Sequence, residues 1–260
     1  MYFGFKNISI AYKKKEVLNN VTLDFPKGRI ITLIGPNGCG KSSLLKVVSK
    51  AVKPRSGTVW LEDRNIHAYS PKILAQKLAM LPQVHSSPPD INVRTLVSYG
   101  RYPYMRFGRG LNGTDRQAID EALALTGLEK LQYRTVGTLS GGERQRAWIA
   151  MALCQKPEIL ILDEPTTYLD IGFQIELLEL VKYLNETLGI TIIMVLHDIN
   201  LAARYSSLLY VIKDKGLYAA GEPRQVLNGE LLKSVFNIKA DIYEDKTNDS
   251  LFFIPLKAGQ

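Results

Sequence analysis

One short glycine-rich segment limits the possible folds of this chain more than any other feature. It reads Gly-Pro-Asn-Gly-Cys-Gly-Lys-Ser at residues 35–42, and it follows the apolar, β-branched run Arg29–Ile34. A run of that kind predicts a short strand buried on both faces. A helical pattern then begins at Lys41 and extends to about Lys50. A buried strand that passes through glycines into a helix predicts an α/β fold in which backbone N–H groups and a helix N-terminus converge on an anion.

The spacing of this phosphate loop (residues 35–42) suits a nucleoside triphosphate bound with Mg²⁺. Glycines let the backbone curl so that several N–H groups reach the phosphate oxygens without interference from Cβ atoms. We expect Lys41 to neutralise the β- and γ-phosphates, Ser42 to bind Mg²⁺ and Ser43 to hydrogen-bond the α-phosphate. A plain strand-to-helix turn would explain the glycines but would not need the lysine. The residues predicted to bind the nucleotide here are Gly35, Pro36, Asn37, Gly38, Cys39, Gly40, Lys41, Ser42 and Ser43.

Two adjacent acidic residues follow a second apolar run. Residues 159–162 read Ile-Leu-Ile-Leu, and Asp163, Glu164 and Pro165 come directly after them. A strand buried on both faces delivers its carboxyl end to the sheet edge where α/β proteins bind ligands. We therefore expect Asp163 to hold Mg²⁺ through its water shell and Glu164 to orient and deprotonate an attacking water. Two acids in an ordinary loop are the alternative interpretation, which the presence of the phosphate loop disfavours.

The composition argues against several classes of protein. The 260 residues are 46% hydrophobic and 22% charged, which is ordinary for a globular chain with room for one sizeable α/β domain. Nothing approaches the roughly 18 unbroken apolar residues of a membrane-spanning helix, and residues 1–6 do not read as a signal peptide. The cysteines Cys39 and Cys154 form no CxxC pair, so we expect a reducing compartment and neither a disulfide scaffold nor a thiolate metal site.

The net charge of +8 raises nucleic acid and anionic membrane surfaces as possible partners. The basic residues are scattered along the chain, however, and the longest run is Lys13-Lys14-Lys15. We therefore expect no nucleic-acid partner, and instead a solvated basic surface that suits a protein working beside anionic lipid.

Strand and helix patterns alternate along most of the chain, which predicts a parallel sheet with right-handed crossovers. Residues Phe3–Tyr12 and Val17–Phe25 alternate in polarity and predict two antiparallel strands at a sheet edge. From about Pro71 to Gly127 the pattern changes to short amphipathic helices, which predicts a helical insert. Beyond Leu208 we expect a few edge strands and two short helices. The other expected elements are strands at 58–62, 159–162 and 191–196 and helices at 142–154, 173–188 and from 198.

A third motif lies just before the Asp-Glu strand. It reads Leu-Ser-Gly-Gly-Glu at residues 139–143 and is followed by Arg144-Gln-Arg146. This motif resembles the signature sequence of ABC-family ATPases, and the resemblance extends over nearly the whole chain. It implies an α/β fold: a P-loop NTPase core with a parallel sheet, an antiparallel β edge subdomain and a helical insert. Within one domain of residues 1–260, the core is then expected at about 1–83 and 138–260, and the helical subdomain at about 84–137.

Further residues match the family's pattern in order. The resemblance implies that Tyr12 stacks on adenine, that Gln83 senses Mg²⁺ and the attacking water, and that His197 contacts the γ-phosphate. The pair Leu169-Asp170 resembles the loop that joins the two active sites of a dimer. As isolated residues, Tyr12 would be a plain strand aromatic and His197 a structural histidine. The implied catalytic residues are Glu164, His197, Gln83 and Lys41, the implied metal ligands are Ser42, Gln83 and Asp163, and the nucleotide-binding set gains Tyr12, Ser140, Gly141, Gly142 and Asp170.

The resemblance also implies that one copy of the chain is an incomplete machine. Residues Ser140, Gly141 and Gly142 of one copy would face the Mg-ATP bound by another copy. ATP would hold this homodimer closed, and hydrolysis would let it reopen. Such a subunit would lie peripherally on the cytoplasmic face of the cell membrane, and it would pass its motion to integral membrane permease subunits and indirectly to a substrate-binding protein.

Three segments narrow the subgroup by resemblance. Residues Tyr99–Tyr104 with Gly108-Arg109, residues Leu139–Met151, and residues Leu196–Tyr205 are similar to ATPases that serve iron(III)–siderophore importers. Little follows Gly221, which leaves no room for the regulatory domain of sugar and methionine importer ATPases. Cobalamin and haem importers have the same expected architecture and stay open as alternatives. The region from about Val84 to Gly110 would form the groove for a membrane-subunit helix, because its aromatic residues would otherwise be exposed.

Three other classes of function stay open at this point. A soluble ABC ATPase acting on nucleic acid or ribosomes usually has two ATPase modules, a coiled coil or zinc inserts, and none of these is visible in this sequence. An exporter ATPase is often fused to membrane-spanning segments, for which the chain has no pattern. A nucleotide-dependent interaction module without catalysis would have no chemical need for Glu164 and His197.

Overall fold

The structure is a computed structural model that describes residues 1–13, 15–83, 90–105, 110–247 and 250–258. The chain forms two compact units, which we describe separately. The first unit contains Met1–Ala68 and Ile193–Gln260, and the second contains Tyr69–Ile192. This division does not follow the predicted core and helical subdomain, whose bounds at about residues 84 and 137 stay a prediction.

The described strands and helices begin and end as follows. The strands are β1 (Phe3–Tyr12), β2 (Lys15–Phe25), β3 (Ile30–Ile34), β4 (Ser56–Leu61), β5 (Arg64–Asn65), β6 (Leu78–Leu81), β7 (Ile159–Asp163), β8 (Thr191–Val195), β9 (Leu208–Lys213), β10 (Gly216–Gly221), β11 (Ile238–Asp245) and β12 (Ser250–Ala258). The α-helices are α1 (Lys41–Val48), α2 (Pro71–Lys77), α3 (Val93–Ser98), α4 (Gly113–Leu125), α5 (Gly141–Cys154), α6 (Ile171–Leu188), α7 (Ile199–Tyr205), α8 (Pro223–Val226) and α9 (Gly229–Phe236).

In the first unit, an antiparallel sheet is built in the order β2-β1-β4-β5. Its inner face is aromatic, because Phe3, Phe5 and Phe25 are fully buried and their ring centroids lie 5.5–6.2 Å apart. The predicted antiparallel pair is therefore confirmed. Its predicted place at an edge is wrong for β1, which pairs with β2 on one side and with β4 on the other. Because β4 comes after α1 in the sequence, its pairing with β1 joins distant residues, and no local sequence pattern predicts it.

The parallel core is a second sheet. The strand order is β10-β9-β3-β8 in the first unit and β8-β7-β6 in the second unit. Strand β8 is named in both orders because it has residues in both units. Every residue of β3, β7 and β8 is buried, as their continuous apolar runs predicted. Strand β9 was expected at an edge, but it lies parallel to β3 with four of its six residues buried, and β10 is the edge strand.

The helices of the second unit begin at polar caps. The Ser140 hydroxyl caps α5, the Asp170 carboxylate caps α6, and Asn112 and Asp115 form a capping box at α4. These caps matter for function, because the α5 cap lies in the signature motif (residues 139–143). Among the described residues, none of the helices is both long and apolar enough to cross a bilayer.

Candidate functional site

The phosphate loop joins β3 to α1 in the first unit, as predicted. Gly40 caps α1 with a φ of 108°, a left-handed conformation that favours glycine. The Lys41 side chain is buried beneath the loop, and its ammonium donates to the carbonyl oxygens of Gly35 at 2.8 Å and Pro36 at 3.0 Å. The loop therefore holds a buried cation at its centre through its own main chain, which is the charge that a phosphate group requires.

The predicted adenine-contacting residue lies beside this loop. Tyr12 ends β1, its ring is partly exposed, and its hydroxyl donates to the Ser43 hydroxyl at 3.2 Å. Ser43 is in the first turn of α1, where we expect it to reach a phosphate. The contact brings Tyr12 and the loop together, while the stacking of Tyr12 on adenine stays a prediction.

His197 leaves the sheet at the same end as the phosphate loop. The Leu196 N–H donates to the Leu33 carbonyl at 3.4 Å, so the residues that follow β8 and β3 start side by side. His197 is exposed, and the next residue, Asp198, caps α7 by accepting from the Leu201 N–H at 3.0 Å. The imidazole is thus held between the end of a buried strand and the start of a helix.

In the second unit, the two predicted catalytic side chains Gln83 and Glu164 are in direct contact. The Gln83 amide nitrogen donates to the Glu164 carboxylate at 2.5 Å. Strand pairing explains this contact, because β6 and β7 are parallel with Leu81 opposite Leu162, and each side chain comes two residues later. The Thr167 hydroxyl also donates to Glu164, at 3.3 Å. Thr167 was not among the predicted site residues, although it lies in the Pro-Thr-Thr-Tyr run at 165–168.

The backbone of Glu164 adopts a left-handed conformation, with a φ of 53°. For a residue with a long side chain this conformation costs about 1–3 kcal/mol. The preceding residue, Asp163, is 5% exposed at the end of β7. The chain reverses after Asp163. The Asp163 carboxylate therefore lies at the end of β7, whereas the Glu164 carboxylate is directed toward Gln83.

The residues predicted to bind Mg²⁺ have suitable chemistry. Asp163 offers a buried carboxylate, Ser42 a hydroxyl and Gln83 an amide oxygen, which are the hard oxygen donors that Mg²⁺ prefers. Across the described ranges, no cluster of three or more His, Cys, Asp or Glu residues could hold a metal ion.

The signature motif presents an exposed helix start. The Ser140 hydroxyl accepts from the Glu143 N–H at 3.2 Å, and the Glu143 carboxylate accepts from the Ser140 N–H at 2.8 Å. This backbone hydrogen bond from Ser140 is the main reason that the pKa of Glu143 is lowered. Ser140 and Gly141 are exposed. A capped helix N-terminus with an exposed hydroxyl and main chain can bind an anion.

Asp170 lies next to the signature motif. Its carboxylate caps α6 by accepting from the Phe173 N–H at 3.0 Å, which is a structural role that the sequence analysis did not assign. A Cβ on Gly142 would lie 2.4 Å from the Phe173 ring, so only glycine fits at this approach of α5 and α6. The second unit thus holds Gln83 with Glu164, and Ser140–Gly142 with Asp170, as two groups.

The two cysteines differ in their surroundings: the Cys39 sulfur accepts a hydrogen bond from the Lys41 ammonium at 3.7 Å, whereas Cys154 belongs to the second unit. Cys154 is buried at the end of α5, and burial raises the pKa of its thiol to about 12, which makes it inert as a nucleophile. Cys39 is half-buried in the phosphate loop. Parts of the predicted partner groove, at residues 84–89 and 106–109 and including Gly108 and Arg109, lie outside the described residues.

Comparison with known proteins identifies the family. Residues 18–167, more than half of the chain, match the family model described as ABC transporter. The chain is 46% identical over 251 residues to the probable siderophore transport system ATP-binding protein YusV of Bacillus subtilis (strain 168), covering 96% of this chain and 90% of that protein. It is 45% identical over 245 residues to the iron(3+)-hydroxamate import ATP-binding protein FhuC of the same organism, covering 94% and 91%. The cobalamin import ATP-binding protein BtuD of Halobacterium salinarum is 36% identical over 241 residues, covering 92% and 60%.

Solved structures agree with the fold. A proposed metal-chelate type ABC transporter in an inward-facing conformation superposes with a TM-score of 0.85 at 27% identity, covering 98% of both chains. A dimeric ATP-binding cassette, MJ0796, in a post-hydrolysis state bound to ADP and Pi, superposes with a TM-score of 0.73 at 29% identity, covering 85% of this chain and 99% of that chain. The expected fold class, an α/β P-loop core with antiparallel and helical additions, is confirmed.

Proposed function

Because this chain belongs to the ABC transporter family, as an ATP-binding member, we propose that it hydrolyses ATP to energise the import of iron(III)–siderophore complexes. The observation that carries the proposed chemistry is the contact between Gln83 and Glu164 at the carboxyl ends of two adjacent parallel strands. The cargo is proposed from the names of relatives, which serve siderophore and iron-hydroxamate import at 45–46% identity. The cobalamin relative is more distant, at 36% identity.

The proposed mechanism begins with phosphate binding. The main chain of the phosphate loop donates to the β- and γ-phosphates, and Lys41 exchanges its two loop carbonyl partners for phosphate oxygens. Tyr12 covers the base, and Ser43 hydrogen-bonds the α-phosphate. Ser42, Gln83 and Asp163 would hold Mg²⁺, which would supply positive charge to offset the charge of the phosphates when bound. His197 donates to the γ-phosphate and stabilises the charge that develops there.

The hydrolytic step depends on Glu164. Its carboxylate accepts a proton from the attacking water, while the Gln83 amide and the Thr167 hydroxyl fix the direction of that carboxylate. The left-handed backbone of Glu164 preorganises the group, so its strain is already present before the water is activated. These contacts therefore favour Glu164 as a fixed general base over the alternative that it is a mobile surface carboxylate.

We propose that the working unit is a homodimer. Ser140, Gly141 and Gly142 of one copy bind the γ-phosphate of the ATP held by the phosphate loop of the other copy. Support comes from the dimeric cassette with bound ADP and Pi and from the exposed, capped N-terminus of α5. Asp170, beside this N-terminus, then lies at the dimer interface.

The homodimer is proposed to act peripherally on the cytoplasmic face of the cell membrane. Integral permease subunits transmit its closing and opening, and a substrate-binding protein delivers the cargo to them. The described part of the predicted partner groove contains an exposed aromatic, Tyr102, whose exposed fraction is 62%. Aromatic side chains such as tyrosine are enriched at protein interfaces, which supports a partner contact at this residue.

The cargo is tested by transport in cells. A strain that lacks this chain is supplied with radiolabelled iron on hydroxamate and catecholate siderophores, and in parallel with labelled cobalamin. We expect iron–siderophore uptake to be lost, to return with the wild-type chain, and not to return with Glu164→Gln. Loss of cobalamin uptake with intact iron uptake would assign the alternative cargo, and normal uptake of both would overturn the import function.

A further inference from the structure

A short 3-10 segment of the second unit packs against the C-terminal end of the signature helix α5, with Gly100 and Arg101 buried. We call residues 99–105 the aromatic segment; its 3-10 helix spans Tyr99–Tyr104. A Cβ on Gly100 would lie 2.2 Å from the Met151 carbonyl oxygen, so the two backbones touch here. This close approach fixes the aromatic segment on the last turn of α5.

Arg101 fastens the aromatic segment to both α4 and α5. Its side chain is about 7% exposed, its Nε donates to Asp115 at 2.9 Å, and its terminal nitrogen donates to the Cys154 carbonyl at 2.8 Å. The Tyr104 ring lies 3.8 Å from the guanidinium carbon, and the Tyr104 hydroxyl donates to the Gln155 carbonyl at 2.9 Å. A guanidinium here pairs with the carbonyl groups at a helix C-terminus, which a helix dipole favours.

The Arg101–Asp115 pair is expensive to bury. Burial opposes the ionisation of Asp115, but hydrogen bonds from the Asn112 N–H and from Arg101 more than offset it, so the pKa of Asp115 is lowered. A buried ion pair is often no more stabilising than well-packed apolar residues of similar volume. Stability alone therefore does not explain why charged residues stand at these two positions.

The other side of the aromatic segment contacts α2, the helix that precedes the strand leading to Gln83. The Gln76 amide donates to the Pro103 carbonyl at 2.9 Å, and Lys72 donates to the Met105 carbonyl at 3.1 Å. Both donors are on α2, which runs directly into β6. The Gln155 amide, just beyond α5, donates to the Leu78 carbonyl at the start of β6 at 2.7 Å.

Two elements whose opposite ends carry functional residues therefore meet at one junction, formed by the C-terminal end of α5 and the start of β6. Helix α5 starts at the signature motif, and β6 ends shortly before Gln83. The outer surface of the same junction presents Tyr102, which stacks on Tyr99 with ring centroids 5.4 Å apart. A partner that binds at Tyr102 can affect both Ser140 and Gln83 only if the packed contacts of this junction hold its elements in fixed positions.

We infer that Arg101 is a positioning residue for ATP hydrolysis: it locks the aromatic segment, which also contacts α2 ahead of β6, to α4 and α5, so that Ser140 and Gln83 move together when a partner binds at Tyr102. The inference rests on the proposed function. It assigns Arg101 no contact with ATP, and it predicts that loss of the lock lowers turnover without lowering nucleotide affinity.

The test is the double variant Arg101→Met/Asp115→Leu in the full chain. Apolar residues of similar volume fill the site without leaving an unpaired buried charge. Because Asp115→Leu also removes the capping box of α4, we expect the free energy of unfolding to fall by about 1 kcal/mol while the protein stays folded. Methionine cannot donate to the Cys154 carbonyl, so we expect kcat for Mg-ATP to fall about tenfold at unchanged KM, as for a small misplacement of catalytic groups. A folded double variant with wild-type kcat would overturn the inference, as would a rise in KM that accounts for the whole loss.

A second variant covers the case in which the first does not fold. Arg101→Lys keeps the positive charge, but a single ammonium cannot reproduce the fork that holds Asp115 and the Cys154 carbonyl together. We expect a folded protein with an intermediate fall in kcat, and wild-type kcat here would again overturn the inference.

The matched control removes an exposed ion pair at the same end of α5. Lys156 and Glu121 are 2.8 Å apart and both partly exposed, and the aromatic segment does not touch them through any described hydrogen bond. Glu121→Gln/Lys156→Gln should change kcat by less than about twofold. A wild-type chain that does not turn over Mg-ATP would contradict the proposed function itself, which separates that failure from failure of the Arg101 inference.

Discussion

The phosphate loop and the Gln83–Glu164 pair reach their geometry by different routes. In the loop, Lys41 is held by the carbonyl groups of Gly35 and Pro36, all within seven residues of sequence. Gln83 and Glu164 are 81 residues apart and meet only because β6 and β7 pair in one register. The first site is a local property of the chain, and the second is a property of the sheet. Variants in the phosphate loop should therefore mainly weaken ATP binding, and variants of the Gln83–Glu164 pair should mainly lower ATP turnover.

The largest effect is expected at Glu164. Glu164→Gln keeps the size and the Gln83 contact but removes the base, so turnover of Mg-ATP should fall at least about a hundredfold. Nucleotide affinity should persist, and an ATP-dependent dimer should accumulate on size-exclusion chromatography. Phosphate release is the measurement, with Glu158→Gln as the control because Glu158 pairs with Lys77 away from the site. Normal hydrolysis by Glu164→Gln would remove Glu164 as the base.

The next effect should appear at the phosphate loop and in binding. Lys41→Met removes a buried cation, and the lost charge-assisted hydrogen bonds should weaken ATP affinity by roughly ten- to a hundredfold. Isothermal titration with ATP measures the change. Lys46→Ala, on the exposed face of the same helix, is the control and should bind ATP normally. Equal affinities for Lys41→Met and wild type would contradict the role of the loop.

A third, smaller effect tests the signature motif against an ordinary helix cap. Ser140→Ala and Ser70→Ala each remove a hydroxyl that accepts from the N–H three residues later, so each should lose about 1 kcal/mol of unfolding free energy. Only Ser140→Ala should also lower turnover, by about tenfold, because only Ser140 is proposed to bind a phosphate of the second copy. Equal turnover in the two variants would reduce Ser140 to a cap.

The smallest effect is a pH dependence of stability at the same helix start. The Ser140 N–H lowers the pKa of Glu143 in the folded state below its ordinary value of 4.5. The ionised carboxylate therefore stabilises the fold above that value, and this stabilisation is lost as the pH falls through the lowered pKa. Glu143→Gln should cost about 0.5 kcal/mol at neutral pH, and less in acid. Chemical denaturation at several pH values measures the difference, and a cost that does not change with pH would contradict it.

The motifs were predictable because each one combines a local pattern with a chemical need. Glycines before a lysine, paired acids after an apolar strand and a serine three residues before a glutamate all have meaning within a few residues. The fully buried strands β3, β7 and β8 were equally clear, because a strand covered on both faces is continuously apolar. The same rules also predict Asp170 as the N-cap of α6, because an aspartate stands directly before the helical pattern, although that role was not among those predicted for Asp170.

Other features gave no local signal. Strand β9 was expected at an edge, since only its pairing with β3 places it inside the sheet. The aromatic segment was expected to be part of a partner groove, but the sequence did not indicate that Tyr104 turns inward to the Gln155 carbonyl while Tyr102 stays exposed. The buried pair of Arg101 and Asp115 was missed, because nothing near either residue marks it as buried.

The sequence by itself determined the family, the phosphate loop and the chemical identity of the groups expected to act on ATP. Those conclusions depend on side-chain chemistry and on backbone turns a few residues long, which the order of residues specifies directly. Only the tertiary structure decided that Gln83 bonds to Glu164, that Glu164 has a left-handed backbone and that Arg101 is buried at the end of α5. These features depend on strand register and helix packing between distant residues. The motifs do not specify either of them, because many sequences with the same motifs could pack differently.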